Sequence, residues 1–295
     1  MRAEVHWTNL TPREIAGRLR DRGLRVSVRV VRQLLRKHHF VRRQARKAQT
    51  MGQHQDRDAQ FQNIARLKQE YLASPNPIVS IDTKKKELIG NFYRDGYLYT
   101  QQIVTTFDHD FPSAADGVII PHGIYDVKRN EAYLNLGTSR DTSEFACDSI
   151  WQWWCVLGRA LYPDATAMLV LCDGGGSNSA QQYLFKEDLQ KLADRMGIAI
   201  RVAHYPPYCS KYNPIEHRVF PHVTRACQGL IFHTITVAAE AMGKAQTRTG
   251  LHVVVNVIDK VYQTGRKVAE GFKESMRLVF DTFLPRWNYT AVPNA

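Results

Sequence analysis

Three acids far apart in the chain, Asp82, Asp173 and Glu216, stand where a fold could gather metal-binding carboxylates. Asp82 ends the apolar run Pro77-Ile78-Val79-Ser80-Ile81, Asp173 follows the apolar run Ala167 to Cys172, and Glu216 lies just inside a helix opened by Asn213-Pro214. Any one of them alone reads equally well as a helix cap or a surface carboxylate. All three brought together would repel one another unless a cation lay among them. Magnesium takes hard oxygen ligands, so a few carboxylates, waters and a substrate phosphate make a suitable site. Two such ions about 4 Å apart can position a nucleophile and stabilise the charge that develops in phosphodiester transfer.

Because 90 residues separate the first pair and 42 the second, only a particular arrangement of elements can make these acids meet. The run 77–83 predicts a buried strand, and Leu88 to Arg94 resumes with extended character. Gly117 to Val127 and Glu131 to Leu136 flank Lys128-Arg129-Asn130 as a hairpin. Thr142 or Ser143 opens a long helix carrying Phe145, Ile150, Trp151, Trp154 and Leu157. A strand at Ala167 to Cys172, a helix at Gln181 to Met196, a strand at Ile198 to Ala203 and the Glu216 helix complete the series. This order predicts an α/β fold: a ribonuclease-H-like mixed sheet of three antiparallel and two parallel strands with helices on both faces. Right-handed crossovers would then bring the carboxyl ends of the parallel strands, and so the acids, to one rim.

The charge points to a partner. Net charge is +12, and residues 1–50 alone hold fourteen Lys and Arg against three Asp and Glu. A compact module so charged suits a polyanion, because each cation set on a phosphate releases condensed counterions. Thr11-Pro12-Arg13-Glu14 predicts a helix start with a capping box, Gly23 ends that helix, and Ser27 caps the next, Val28 to His38. In the second helix Val31, Leu34 and Leu35 are expected inside. Arg29, Arg32, Gln33, Arg36 and Lys37 recur at helical spacing as one basic ridge suited to a DNA major groove. The expected layout is an all-α helix-turn-helix module at 1–43, a linker and helix at 44–76 with Phe61, Ile64, Ala65, Leu67 and Leu72 as its apolar stripe, and a catalytic domain with a C-terminal extension at 77–295. The ten residues ahead of Thr11 are too few for the third helix of such a module, so a truncated N-terminus is expected.

Other constellations carry less. The five cysteines form no C-x-x-C pair, which argues against a zinc cage or disulfide framework. No apolar run has the roughly 18 residues of a membrane span, and the cytoplasm, beside the nucleoid, is the expected location. Gly174-Gly175-Gly176 lacks a following Gly-Lys-Ser/Thr and so does not read as a nucleotide cradle; it would let DNA approach closely, with Asn178 as a hydrogen-bonding partner. Lys84, Lys85 and Lys86 read equally as phosphate ligands or as a charged turn. His204, Cys209 and His217 crowd Glu216 without metal spacing, and His217 is the better candidate for a contact supporting the acids, with Asn213 and Gly174 beside it. Asp95, Asp110 and Asp116 are alternative acids in expected turns.

At these residues the chain resembles bacterial insertion-sequence transposases of the Rhodopirellula transposase DDE type, which are distantly similar to mariner elements. The likeness is carried by Ser80-Ile81-Asp82-Thr83-Lys84-Lys85-Lys86-Glu87, His109-Asp110-Phe111-Pro112, Cys172-Asp173-Gly174-Gly175-Gly176-Ser177-Asn178, His204-Tyr205-Pro206-Pro207 with Ser210-Lys211-Tyr212-Asn213-Pro214-Ile215-Glu216-His217, and Trp287-Asn288-Tyr289. The family usually has Gly-Thr at Tyr208-Cys209, and tryptophan and lysine at Tyr212 and Pro214. The resemblance implies a catalytic triad of Asp82, Asp173 and Glu216 holding two Mg²⁺ ions, for which Mn²⁺ substitutes. It also implies double-stranded transposon-end and target DNA as substrate, cut and rejoined by a dimer. A catalytically inactive or domesticated DNA-binding remnant and a non-transposing ribonuclease-H-like nuclease are the alternatives.

Overall fold

A computed structural model describes residues 6–44, 54–175 and 182–294. The chain divides into two compact units, residues 1–49 and 50–295.

In the first unit Thr11 caps helix α1 (Pro12–Asp21) through its side chain, with Glu14 reaching back to complete the box. Ser27 caps α2 (Val28–Lys37) in the same manner. The chain turns between them at Gly23, which adopts φ +82°, a conformation open to glycine at little cost. Ala16 and Val31 are the buried apolar residues that join the two helices. The expectation for Leu34 does not hold: it is 42% exposed. Two short helices meet along one narrow seam, and Leu34 lies beyond it on the helix flank.

The second unit is built on one mixed sheet. Its elements in chain order are α3 (Arg57–Leu72), β1 (Ile78–Thr83), β2 (Glu87–Ile89), β3 (Gly117–Asp126), β4 (Glu131–Gly137), α4 (Ser143–Trp153) continued by a π-type turn (Trp154–Gly158), α5 (Arg159–Leu161), β5 (Ala167–Cys172), α6 (Tyr183–Met196), β6 (Ala199–His204), α7 (Pro214–Arg218), α8 (Phe220–Ala226), α9 (Ile235–Gly243), β7 (His252–Ile258), α10 (Phe272–Ser275), β8 (Leu278–Phe280) and β9 (Asn288–Ala291). Among the described residues the strands lie in the order β7-β4-β3-β1-β5-β6-β9-β8, with β2 paired to β3. The antiparallel β1, β3 and β4 followed by the parallel β5 and β6 form the expected ribonuclease-H-like core. Three strands lie outside the expected set: β7 adds in parallel beside β4, and β9 and β8 add antiparallel beyond β6. Of the extended stretch 88–94, only its beginning joins a strand.

Alternation along the strands divides the core into two layers. Val79, Ile81, Val170 and Cys172 face the layer that holds Ile150 and Trp153 of α4 and Phe185 and Leu189 of α6. On the opposite face, Ile78, Leu169 and Leu171 pack against Ile64, Leu67 and Tyr71 of α3, so that helix is part of the domain core. Leu72, expected in its stripe, is exposed, and Tyr71 is buried in its stead. Farther along that face Leu134 and Tyr125 pack with Ile215 of α7 and Phe220 and Val223 of α8.

One residue sets how closely α7 can approach. A Cβ at Gly123 of β3 would stand 2.5 Å from Ile215 Cδ1 and 3.0 Å from Phe220 Cε1, so only glycine lets α7 lie flat on the sheet. Gly123 is also the cross-strand partner of Asp82. Gly123→Ala should therefore cost about 1–3 kcal/mol through overpacking, measured by denaturant unfolding, while displacing α7 from the rim.

Candidate active site

Asp82 and Asp173 come together through strand register. Ser80 of β1 pairs with Leu171 of the parallel neighbour β5, and two residues farther along both strands Asp82 stands beside Asp173. Asp173 is the first residue past the end of β5, at the carboxyl rim of the sheet.

Glu216 reaches the same rim on α7, which is held to β1 by a buried polar clamp. The Ser80 hydroxyl donates to Asn213 Oδ1 at 2.5 Å and accepts from the Ile215 N–H at 3.0 Å, while Asn213 Nδ2 donates to the Ile81 carbonyl at 2.9 Å. Ser80 and Asn213 are fully buried. Asn213 precedes Pro214 at the N-cap position but directs its side chain to the neighbouring strand rather than to its own helix. Asn213, expected to support the acids, thus ties the start of α7 to β1. Ser80 has a role that residue type alone does not announce; a hydroxyl inside an otherwise apolar strand is the signal that could have found it.

The resulting electrostatics are those of a crowded anionic site. Burial first and the nearby Asp173 charge second push the Asp82 carboxyl up to about 8; the Thr83 N–H opposes them, and Glu216 adds both charge and a hydrogen-bonding contact. Burial also raises Asp173, against the Gly175 N–H that donates to its carboxyl at 3.4 Å, with Glu216 raising it as well. The three acids are therefore mutual neighbours. Among the described residues, however, no three Asp, Glu, His or Cys side chains surround a common point in the manner of a formed metal site. The fit to divalent cations lies in hard-oxygen donors, placement at one rim and mutual repulsion that a cation would relieve.

Beside the acids opens a cleft of about 960 Å³, lined by Lys84, Lys85, Lys86, Arg94, Glu216 and Thr224 among others. Lys84 is only 8% exposed and is ion-paired to Glu87 at 2.6 Å. Glu87 is also held by Arg94 at 3.1 Å, whose guanidinium lies 3.6 Å over the Phe232 ring. Lys85 and Lys86 are exposed. Asp95 and Asp110, two of the three alternative acids, line the cleft, and neither they nor Asp116 enter the set that shifts Asp82. His217 is exposed, and burial together with Arg218 and Lys68 lowers its pKa. Asn178 lies outside the described residues.

The underside of the Asp173 turn is made by residues whose role the sequence did not disclose. His204 Nδ1 lies 2.9 Å from the Asp173 carbonyl oxygen, and Nε2 lies 2.9 Å from the Tyr289 hydroxyl. Burial lowers His204 to about 4, so the ring is neutral at pH 7. Trp287 lies under Gly174, where a Cβ would come within 3.1 Å of the indole. Asn288 Oδ1 accepts from Asn63 Nδ2 of α3 at 2.7 Å. In the first unit Arg29, Arg32, Gln33, Arg36 and Lys37 are all exposed on α2.

A folded-state pKa raised from the ordinary carboxyl range to about 8 makes Asp82 favour folding when protonated. That contribution is complete below about pH 4 and is lost as pH rises toward 8. Thermal melts in a chelator should accordingly show stability falling over that window, and Asp82→Asn should flatten the fall and raise the melting temperature at pH 8.

Residues 1–293 match the family described as Rhodopirellula transposase DDE domain. A search of curated proteins gives no match. Similar solved structures include the Mos1 transposase paired-end complex with left transposon end (14% identity, TM-score 0.49, 78% of this chain and 65% of that one). The mariner Mos1 paired-end complex with Mg has 15% identity, TM-score 0.49 and the same coverage. The Mos1 strand transfer complex has 13% identity and TM-score 0.48, over 81% of this chain and 71% of that one. The chain thus spans 65% of the length of the first of these. With nearly its whole length inside the family match and its three acids at one sheet rim, the chain belongs to the Rhodopirellula transposase DDE domain family.

Proposed function

We propose that the chain is a DNA transposase that cleaves transposon-end DNA and transfers the freed strand into target DNA. The observation that carries the reading is the electrostatic coupling of Asp82, Asp173 and Glu216 beside a cleft with lysines in its wall. Their carboxylates are the groups that would hold two Mg²⁺ ions, or Mn²⁺ in their place; bound there, the ions supply charge stabilisation for in-line displacement at phosphorus. The chain's own residues do the rest. The Ser80–Asn213 clamp keeps the helix that carries Glu216 against β1, so that this carboxylate stays at the rim when phosphate approaches. Exposed Lys85 and Lys86 offer charge to the DNA backbone at the cleft mouth, and Lys84, held by Glu87, offers a cation in a fixed position deeper inside. Gly174 lets the backbone come close to the rim.

The α2 ridge of Arg29, Arg32, Gln33, Arg36 and Lys37 supplies duplex binding. Two copies acting together would hold a pair of ends. A remnant that binds without cutting and a nuclease that never joins strands are the outcomes that would replace this reading.

Asp82→Asn, Asp173→Asn and Glu216→Gln, made separately, should each bind DNA normally yet lose Mg²⁺-dependent cleavage by about 100-fold or more in a nicking assay. Near-normal cleavage by any of the three removes that residue from the site. Replacing Arg29, Arg32 and Arg36 with alanine should weaken DNA binding and reduce the slope of log K against log salt by roughly 0.9 for each phosphate left without its cation. An unchanged slope in a salt titration means the ridge does not meet DNA.

A further inference from the structure

The turn that carries Asp173 has no strand partner of its own. The β5–β6 ladder ends at Cys172 opposite His204, and the last bond beyond it runs from the Tyr205 N–H to the Cys172 carbonyl. Asp173 comes next, and its main-chain carbonyl would be left without a ladder donor. The His204 side chain supplies one, at 2.9 Å. A carbonyl oxygen can only accept, so Nδ1 carries the ring proton and Nε2 is the acceptor, which the Tyr289 hydroxyl satisfies by donating at 2.9 Å. The Asp173 carbonyl therefore sets the tautomer, and the ring is held in place at its far nitrogen by a hydroxyl of β9, 85 positions along the chain from His204. His204 and Tyr289 are both essentially without solvent exposure. Packing alone would be met by phenylalanine at 289; a hydroxyl placed in an apolar layer costs free energy unless it is used.

The neighbouring backbone reinforces the arrangement. Trp287 accepts from the His204 N–H through its carbonyl at 3.0 Å and places its indole under Gly174. The peptide between Asp173 and Gly174 is thus pinned between an imidazole that bonds it and an indole that closes the space beneath it. The direction of the Asp173 carboxyl follows from the orientation of that peptide.

We propose that His204 and Tyr289 are positioning residues for Asp173, a relay in which the buried hydroxyl orients the imidazole and the imidazole holds the Asp173 main chain, so that its carboxylate is aimed at the cation site. This rests on the transposase reading of the three acids. It assigns to the Trp287-Asn288-Tyr289 motif a task in the chemistry at the neighbouring Asp173 turn. Groups that hold a metal ligand in place change metal affinity or activity by roughly 10- to 100-fold when removed.

Asparagine and glutamine separate the two ring nitrogens. The amide nitrogen of His204→Asn falls near Nδ1 and can still donate to the Asp173 carbonyl, whereas that of His204→Gln falls near Nε2 and cannot. In the full-length chain, Mn²⁺ affinity measured by water-proton relaxation should fall about 10- to 100-fold for Tyr289→Phe and His204→Gln and less than about tenfold for His204→Asn. DNA binding should stay within about twofold of wild type for all three, since the relay touches the cation site and not the duplex-binding ridge. Mg²⁺-dependent nicking should follow the same order as Mn²⁺ affinity. Tyr289→Phe and His204→Gln variants within about twofold of wild type in Mn²⁺ affinity, or a glutamine variant that outperforms the asparagine one, would overturn the relay. Should the His204 variants fail to fold, Tyr289→Phe, which keeps the ring, decides by itself. A wild-type chain that neither binds Mn²⁺ nor nicks DNA would instead bring down the assignment of the acids, and the relay with it.

Discussion

Like charges do not assemble unaided. Asp82, Asp173 and Glu216 sit close enough that burial and mutual repulsion hold a proton on Asp82 up to about pH 8, so the fold must oppose their separation with bonds made elsewhere. Each acid has its own restraint. Asp82 lies within a strand paired on one side to β3 and continuous on the other with the register of β5. Glu216 is tied through Asn213 and Ile215 to Ser80, in a fully buried network with every partner satisfied. Asp173, beyond the end of its ladder, depends on side chains from β6 and β9. A site of this kind trades stability for readiness: the repulsion that weakens the empty fold is the same charge density that would bind cations.

The sheet's additions beyond the five-strand core serve that requirement. β9 contributes Tyr289 against His204 and Asn288 against Asn63, so the C-terminal strand joins α3 to the underside of the Asp173 turn. β8 continues from β9, and the Arg201–Asp281 ion pair fastens this edge to β6. At the opposite edge β7 lies along the full length of β4 and is covered by α9. A network of Lys260 and Arg266 with Glu144, Asp148 and Asp188 then fixes the segment after β7 to α4 and α6. The last third of the chain therefore braces the core on both sides.

The first unit is held together differently. Its described interior holds Ala16 and Val31, far too little apolar surface for a stable domain, and its order comes from caps at Thr11 and Ser27. Its outer surface carries the arginines of α2, where helical spacing keeps them apart from the apolar seam.

Local rules made much of this protein legible. Helix starts at Thr11, Ser27 and Thr142, the β3–β4 hairpin and the apolar strands before Asp82 and Asp173 all follow from capping chemistry and periodicity within a few residues. The three acids were singled out by their places at the ends of expected strands and just inside an expected helix, and by the family resemblance. Tertiary structure decided what those rules do not contain. Whether Gly123 mattered depended on a helix far along the chain, at Ile215 and Phe220. The strands β7, β8 and β9 form because unsatisfied sheet edges offer hydrogen bonds, a property of the assembled sheet rather than of any segment. The support of Asp173 by His204 and Tyr289 has no trace in spacing, since a hydrogen bond between residues 85 apart exists only once β6 and β9 lie side by side.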